Sequence, residues 1–381
     1  MIQSTACLAA RVFVPEIGPC VARVDGERLI DISDTFATMR DLCEQENPAE
    51  AIAHAKGRDL GSVSDIIANA AASSRNVSKP WLLAPVDLQA IKAAGVTFAV
   101  SMIERVIEER ARGDADAARE IRSRIRELVG DDLRKLKPGS PEAAALKETL
   151  IKTGSWSQYL EVGIGPDAEI FTKGQPMSAV GSMMNVGVHP KSTWNNPEPE
   201  VVLVVSSKGK IVGATLGNDV NLRDVEGRSA LLLGKAKDNN AASAIGPFVR
   251  LFDDGFNLDT VRKIDLSMTV EGLDGFKMTG RSSLSQISRD PADLVAQTIN
   301  EHHHYPDGFV LFLGTMFAPS DDRDVPGRGF THKTGDVVTI STPELGSLVN
   351  YVVPTDQAEP WTFGTSSLMR NLAKRGLLSE A

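Results

Sequence analysis

Five consecutive apolar residues, Val201-Val202-Leu203-Val204-Val205, follow directly on the run Asn196-Pro197-Glu198-Pro199-Glu200. A β-branched stretch that is apolar on both faces belongs in a sheet covered on both sides. Prolines precede both glutamates and withdraw backbone donors, so the strand enters that sheet with Glu198 and Glu200 at its mouth. Side chains two apart on a strand share a face, and two carboxylates so placed can grip one hard cation. Turn chemistry at Ser206-Ser207-Lys208-Gly209-Lys210 and a return strand from Ile211 to Leu216 bring Gly217-Asn218-Asp219 back beside them. Asp219 then offers a third oxygen. Glutamates at this spacing are also commonly just the wet face of an edge strand; the step from paired acids to buried aliphatics is what favours a cation.

The rest of the composition narrows the function. The chain has 381 residues, 42% hydrophobic and 24% charged, enough for one large domain and a smaller one. With 41 basic against 50 acidic residues, a net charge of −9 and 5% aromatics, a nucleic-acid partner lacks both its electrostatic and its stacking terms. Cys7, Cys20 and Cys43 have no metal-ligand spacing, and an odd count argues against a disulfide framework. No apolar run approaches the ~18 residues of a membrane-spanning helix, and Met1-Ile2-Gln3-Ser4-Thr5 lacks the charged start of a signal peptide. A cytoplasmic protein without membrane partners is expected. There is no Gly-x-Gly-x-x-Gly, no phosphate-binding Gly-Lys-Ser/Thr loop and no Gly-x-Ser-x-Gly elbow.

Along the chain, residues 1–85 read as a small α+β domain, with strands at Ala10 to Val14, Cys20 to Val24 and Arg28 to Asp31 followed by short helices. Residues 86–381 form the second unit. Within it, 104–150 is dense in Glu, Asp and Arg at helical spacing over a thin apolar stripe, which predicts a solvated helical insertion. Such an insertion can serve as a lid or pack on a neighbouring subunit. From Leu160 onward strands are expected at Val162 to Ile164, Glu169 to Thr172, Val201 to Val205, Ile211 to Leu216, Lys263 to Val270, Phe276 to Gly280, Phe309 to Leu313 and Val337 to Ser341. Asp290-Pro291 predicts a capped helix running to Glu301, and Asp238 to Phe248 a short turn. His302-His303-His304 reads as a helix-end cap rather than a metal site.

The motifs in order resemble a known family. Thr193-Trp194-Asn195-Asn196-Pro197-Glu198-Pro199-Glu200, Gly217-Asn218-Asp219 with Arg223-Asp224, Lys237 ahead of Gly246-Pro247, Gly314-Thr315 and the late strand Gly335 to Ser341 are similar to the core signature of the fumarylacetoacetate hydrolase superfamily. The resemblance covers roughly residues 95–345. It implies an α+β fold with a mixed β-roll catalytic domain, and a homodimer or higher homo-oligomer. It also implies a magnesium ion, replaceable by Mn2+ or Ca2+, on Glu198, Glu200 and Asp219, and substrates that are 2-oxo or 1,3-dioxo acids. By the same resemblance Lys237 is the active-site lysine and Thr315 contacts the substrate carboxylate, with Gly314, Phe98 and Ser101 beside it. Arg223 could bind a substrate carboxylate or serve structure beside Asp224.

One departure shifts the expected chemistry. Hydrolases of the family carry Asn-Tyr-x-x-His-x-x-Glu where this chain reads Thr97-Phe98-Ala99-Val100-Ser101-Met102-Ile103-Glu104. Serine at position 101 is no base near neutral pH without a partner, so water activation loses its usual agent while Glu104 remains. The Trp-Asn-x-Pro-Glu-Pro-Glu run, Glu226-Gly227 and the C-terminal Trp361-Thr362-Phe363-Gly364 look closer to bacterial 2-keto-3-deoxy-pentonate dehydratases. That resemblance implies magnesium-dependent loss of water from a 2-oxo sugar acid, giving 2,5-dioxopentanoate in oxidative pentose breakdown, with Glu104 and Lys237 as the acid/base pair. Lys235 is the fallback if the register is off by two. An acylpyruvate-type hydrolase, an oxaloacetate-type decarboxylase and a non-catalytic metal-binding homologue are the alternatives.

Overall fold

The structure is a computed structural model that describes residues 6–99, 102, 106, 136–154, 156–317, 319, 322–324 and 329–378. Two β-sheets organise it. The first holds Leu8–Val14 (β1), Gly18–Asp25 (β2), Arg28–Asp31 (β3), Arg58–Ser62 (β4), Trp81–Leu83 (β5), Ala90–Gly95 (β6) and Glu169–Gly174 (β7). The strand Asn185–Val188 (β8) lies in the second sheet, and Asn195–Asn196 (β9) in a short ribbon. Then come Pro199–Val205 (β10), Ile211–Asp219 (β11), Asn221–Leu222 (β12), Ser243–Leu251 (β13), Asp265–Glu271 (β14), Lys277–Ser283 (β15), Phe309–Phe312 (β16), Val337–Thr342 (β17) and Gly346–Pro354 (β18). The large sheet runs β4-β3-β2-β1-β13-β11-β10-β16-β6-β7, with β5 also on β1, and the smaller runs β15-β14-β17-β18-β8. Neither path closes into a barrel. Pairing is antiparallel except between β16 and β6 and between β18 and β8.

The run that opened the sequence analysis becomes β10, buried along its whole length. Val201, Leu203 and Val205 face one core with Met268 and Val270 of β14 and Val338 and Ile340 of β17, between the two sheets. Val202 and Val204 face a second core with Met39, Leu42 and Ile52 from the helices Met39–Cys43 and Pro48–His54. Period-two alternation thus supplies both layers from a single strand. Strands from 1–85 and from 86–381 share this sheet, because β1 pairs with β13 at Leu8↔Arg250 and Ala9↔Val249.

Several expectations change. Val162 to Ile164 is not a strand: it ends the helix Gln158–Ile164, whose N-cap Ser157 accepts from the Leu160 amide. Three apolar residues are too few to set a period, and the cap and the packing of Leu160 and Ile164 decided the outcome. The short turn expected within Asp238 to Phe248 is present, closed by the Ala242 amide on the Asn239 carbonyl at 3.1 Å, but from Ser243 onward the segment is β13, a fully buried strand that was not expected. Gly246-Pro247 reads as a breaker, yet it lies where the β11 partner register shifts between Ala214 and Leu216, so the missing proline donor breaks no ladder. The helix begun by Asp290 and Pro291 ends at Thr298 rather than Glu301. His302 to His304 sit in an exposed turn beyond it and belong to no metal-type cluster among the described residues.

Most of the charged 104–150 stretch, including Glu104, lies outside the described residues, as does Ser101. Its described end is not merely solvated. The helix Pro141–Lys152 buries Ala143 and Leu150 in a cluster with Met102, Val106, Leu160 and Ile164. Among the described residues no helix is long and apolar enough to cross a membrane.

Candidate metal centre

Where β10 and β11 enter the large sheet, Glu198, Glu200 and Asp219 converge. Each offers an oxygen within 4.8 Å of the others, and they are 7%, 3% and 1% exposed. Antiparallel register pairs Pro199 with Asn218 and Glu200 with Gly217, and the Asp219 amide donates to the Glu198 carbonyl at 3.0 Å, which fixes the third acid opposite the first two. The arrangement anticipated from strand alternation is therefore present.

Other elements hold the acids in place. The Gly314 amide, in the turn after β16, donates to Glu200 Oε2 at 2.6 Å. Gly314 has φ +84, and a Cβ there would lie 2.2 Å from Thr97 Oγ1, so the turn needs glycine. Asn221 Nδ2 donates to Glu198 Oε1 at 3.1 Å and to Glu226 Oε2 at 2.6 Å. Lys237, 3% exposed at the end of the helix Leu233–Lys237, reaches Glu198 Oε2 at 2.5 Å and Asp219 Oδ2 at 3.0 Å. Lys235 is exposed, and of the two lysines it is Lys237 that lines the cleft.

These contacts set the charges. Burial and the negative charges of Asp219 and Glu198 push the Glu200 carboxyl well above the usual glutamate value, against the opposing pull of Lys237 and the Gly314 amide. Burial pulls the Lys237 ammonium down, but Asp219 and Glu198 outweigh it and leave the amine firmly protonated. That is a poor starting state for a base. Three hard oxygen donors that repel one another in a buried cleft fit a divalent cation of the magnesium or calcium type.

The cleft is also lined by Asn196, Arg223, Thr315, Tyr159, Phe171 and Glu169. Asp224 does not engage its neighbour Arg223 but accepts from Ser192 Oγ at 2.7 Å and the Thr193 amide at 2.9 Å. The Arg223 guanidinium stacks on Trp194, 4.6 Å from the ring centroid, and faces the cleft. Phe98 does not line it. The residue is 1% exposed, its side chain packs in the core between the sheets and its backbone forms a bridge with that of Ile287.

Strand β7 was expected over Glu169 to Thr172, but the place of its side chains at the site is what sequence reasoning missed. Glu169, Phe171 and Lys173 share one face by alternation: a carboxylate and a ring at the cleft, and an ammonium beneath it. Glu169 is opposite Gly95 in β6, where a Cβ would stand 2.0 Å from its Oε2. A side chain at 95 would displace the carboxylate. The only local signal was the strand itself, since none of its partners lies nearby in sequence.

The model for the fumarylacetoacetate hydrolase C-terminal domain matches residues 148–353, more than half of the chain. The chain belongs to the fumarylacetoacetate hydrolase family. A relative in Haloferax volcanii named probable 2-keto-3-deoxyxylonate dehydratase is 31% identical over 194 residues, which is 51% of this chain and 63% of that one. A 2-dehydro-3-deoxy-D-arabinonate dehydratase of Saccharolobus solfataricus is 31% identical over 187 residues, 48% of this chain and 58% of that one. The match thus spans less than two thirds of either relative. Among solved structures of the family fold, a 2-keto-3-deoxy-D-arabinonate dehydratase complexed with magnesium and 2,5-dioxopentanoate aligns over 91% of this chain and 99% of its own, with TM-score 0.63 and 20% identity. A 2-hydroxyhepta-2,4-diene-1,7-dioate isomerase from Mycobacterium marinum aligns with TM-score 0.51 and 17% identity over 92% of this chain and 100% of its own. At such identities the likeness speaks for the fold, and that fold serves more than one reaction.

Proposed function

We propose that this protein is a magnesium-dependent hydro-lyase that removes water from a 2-keto-3-deoxy-pentonate to give 2,5-dioxopentanoate. The observation that carries the reading is the buried cluster of Glu198, Glu200 and Asp219 braced by Lys237. The names of the two relatives, and the product bound to a structural neighbour, support the choice of substrate class.

Glu198, Glu200 and Asp219 would hold the ion. When bound, magnesium supplies Lewis-acid stabilisation to the negative charge that develops on the 2-oxo oxygen as the C3 proton leaves. The protein's own groups do the rest. A carboxylate base takes the C3 proton, the C4–O bond breaks with its hydroxyl protonated to water, and proton shifts convert the resulting 3-ene to the 5-aldehyde. Glu169, at the cleft wall, is a carboxylate available for the base, and Glu104, a member of the acid/base pair that the resemblance implies, lies outside the described residues. Arg223 at the cleft can pair with the substrate's carboxylate, and Thr315 can donate to it. Asn196 and Tyr159 also line the cleft and can meet its hydroxyls. We take the working assembly to be a homodimer, which light scattering measures directly.

The test is incubation of purified protein with Mg2+ and a panel of 2-keto-3-deoxy-pentonates and acylpyruvates, followed by product mass. Formation of 2,5-dioxopentanoate that stops with chelator or in Glu198→Ala supports the reading. Cleavage of acylpyruvates without dehydration of the sugar acids would overturn it.

A further inference from the structure

Lys173 is 1% exposed and far in sequence from everything it touches. An ammonium has three donors. Here Nζ donates to the Val220 carbonyl at 3.3 Å and the Lys237 carbonyl at 2.5 Å, and lies 2.9 Å from Asp219 Oδ1 in an ion pair that is not aligned as a hydrogen bond. Lys237 holds the other oxygen of the same carboxylate, Asp219 Oδ2. The carboxylate is therefore gripped at both oxygens by two different lysines. The two backbone carbonyls that Lys173 takes belong to the residue after Asp219 and to Lys237 itself, so one side chain ties together the start and end of the segment that carries both groups.

We propose that Lys173 is a positioning residue that fixes Asp219 and Lys237 in the geometry required to bind the cation. The proposal rests on the metal-site reading above and goes beyond it, because Lys173 is not a ligand and does not line the cleft. Two effects of the residue have opposite signs. As a buried positive charge it repels a divalent cation, so charge alone predicts tighter metal binding when it is removed. As a clamp it orders a ligand, and loss of such an outer partner commonly costs about 10–100-fold in affinity.

The sign of the change therefore decides. Metal-free wild type, Lys173→Met and Lys173→Gln are titrated with Mn2+ alone, reading free ion by electron paramagnetic resonance, with circular dichroism to verify the fold. The expected result is a dissociation constant about tenfold or more higher in Lys173→Met. Lys173→Gln, which keeps amide donors, should fall between it and wild type. Unchanged or tighter binding in both variants overturns the proposal, and if Lys173→Met fails to fold, Lys173→Gln alone decides by the same measurement. Wild-type protein that binds no Mn2+ overturns it too. Wild type that binds Mn2+ but dehydrates nothing sinks the proposed reaction and leaves the positioning role to the same titration.

Discussion

At the scale of single residues the site is a problem of charge. Glu200 is pushed above the usual glutamate value of 4.5 because it is buried beside two other acids, so without a cation it holds its proton to higher pH than free glutamate does. A cation must displace that proton. Metal binding is therefore expected to release protons and to weaken as pH falls through a window lying above 4.5, detectable by calorimetry in buffers of different ionisation enthalpy. Identical heats in all buffers would contradict the assignment. Lys237 is the sharper case: Lys237→Met removes the ammonium that Glu198 and Asp219 share, leaves Lys173 on Asp219, and takes away one member of the acid/base pair that the resemblance implies. Turnover should drop by about 10²–10⁴-fold, as for loss of a general acid or base. Lys235→Met, at an exposed position two residues away, should leave kcat unchanged. Glu198, Glu200, Asp219 and Lys237 were legible because each sits in a local motif. Lys173 was not, because its partner carbonyl at Lys237 is 64 residues distant and nothing in Phe171-Thr172-Lys173 marks the lysine as buried.

At the scale of elements, legibility followed the strength of the local pattern. Pro199–Val205 was readable since its aliphatics left no alternative to a doubly covered strand. Ala90–Gly95 was not: alanine, lysine and glycine are weak strand formers, and only parallel pairing with Phe309–Phe312 and antiparallel pairing with Glu169–Gly174 make it one. Ser243–Leu251 was hidden by a glycine and proline that the partner's register shift accommodates. The strength of β10 can be measured. Leu203 is wholly buried between the sheets, so Leu203→Ala should cost about 2–5 kcal/mol in denaturant unfolding, the range for a leucine cavity in a packed core. A loss well under 1 kcal/mol would mean that the two sheets re-close around the hole.

At the scale of the whole molecule the two sheets must be held in register with the site, and a buried polar network contributes to that. Asp336, immediately before β17, accepts from Arg323 Nη1 at 2.6 Å and Nη2 at 2.9 Å and lies 3.1 Å from His332 Nδ1. The His332 amide donates to Asn195 Oδ1 of β9, one residue before the Asn196 to Glu200 run, so the smaller sheet is tied to the strand that delivers the acids. Burial holds the His332 imidazole below its ordinary value of 6.5, outweighing the pull of Asp336. Between that depressed value and 6.5 the unfolded chain binds a proton that the folded one refuses, so stability must fall as pH drops below 6.5. Burial pushes the Asp336 carboxyl up, but its hydrogen bonds from His332 and Arg323 prevail and hold it below 3.8, so its contribution is lost at still lower pH, in the same direction. Thermal midpoints measured on acidification should therefore decline first from the histidine and then from the aspartate. Replacing His332 with glutamine, which cannot titrate, should lower the midpoint at neutral pH and flatten the first decline. A variant that keeps the wild-type slope below 6.5 would place the acid-sensitive group elsewhere.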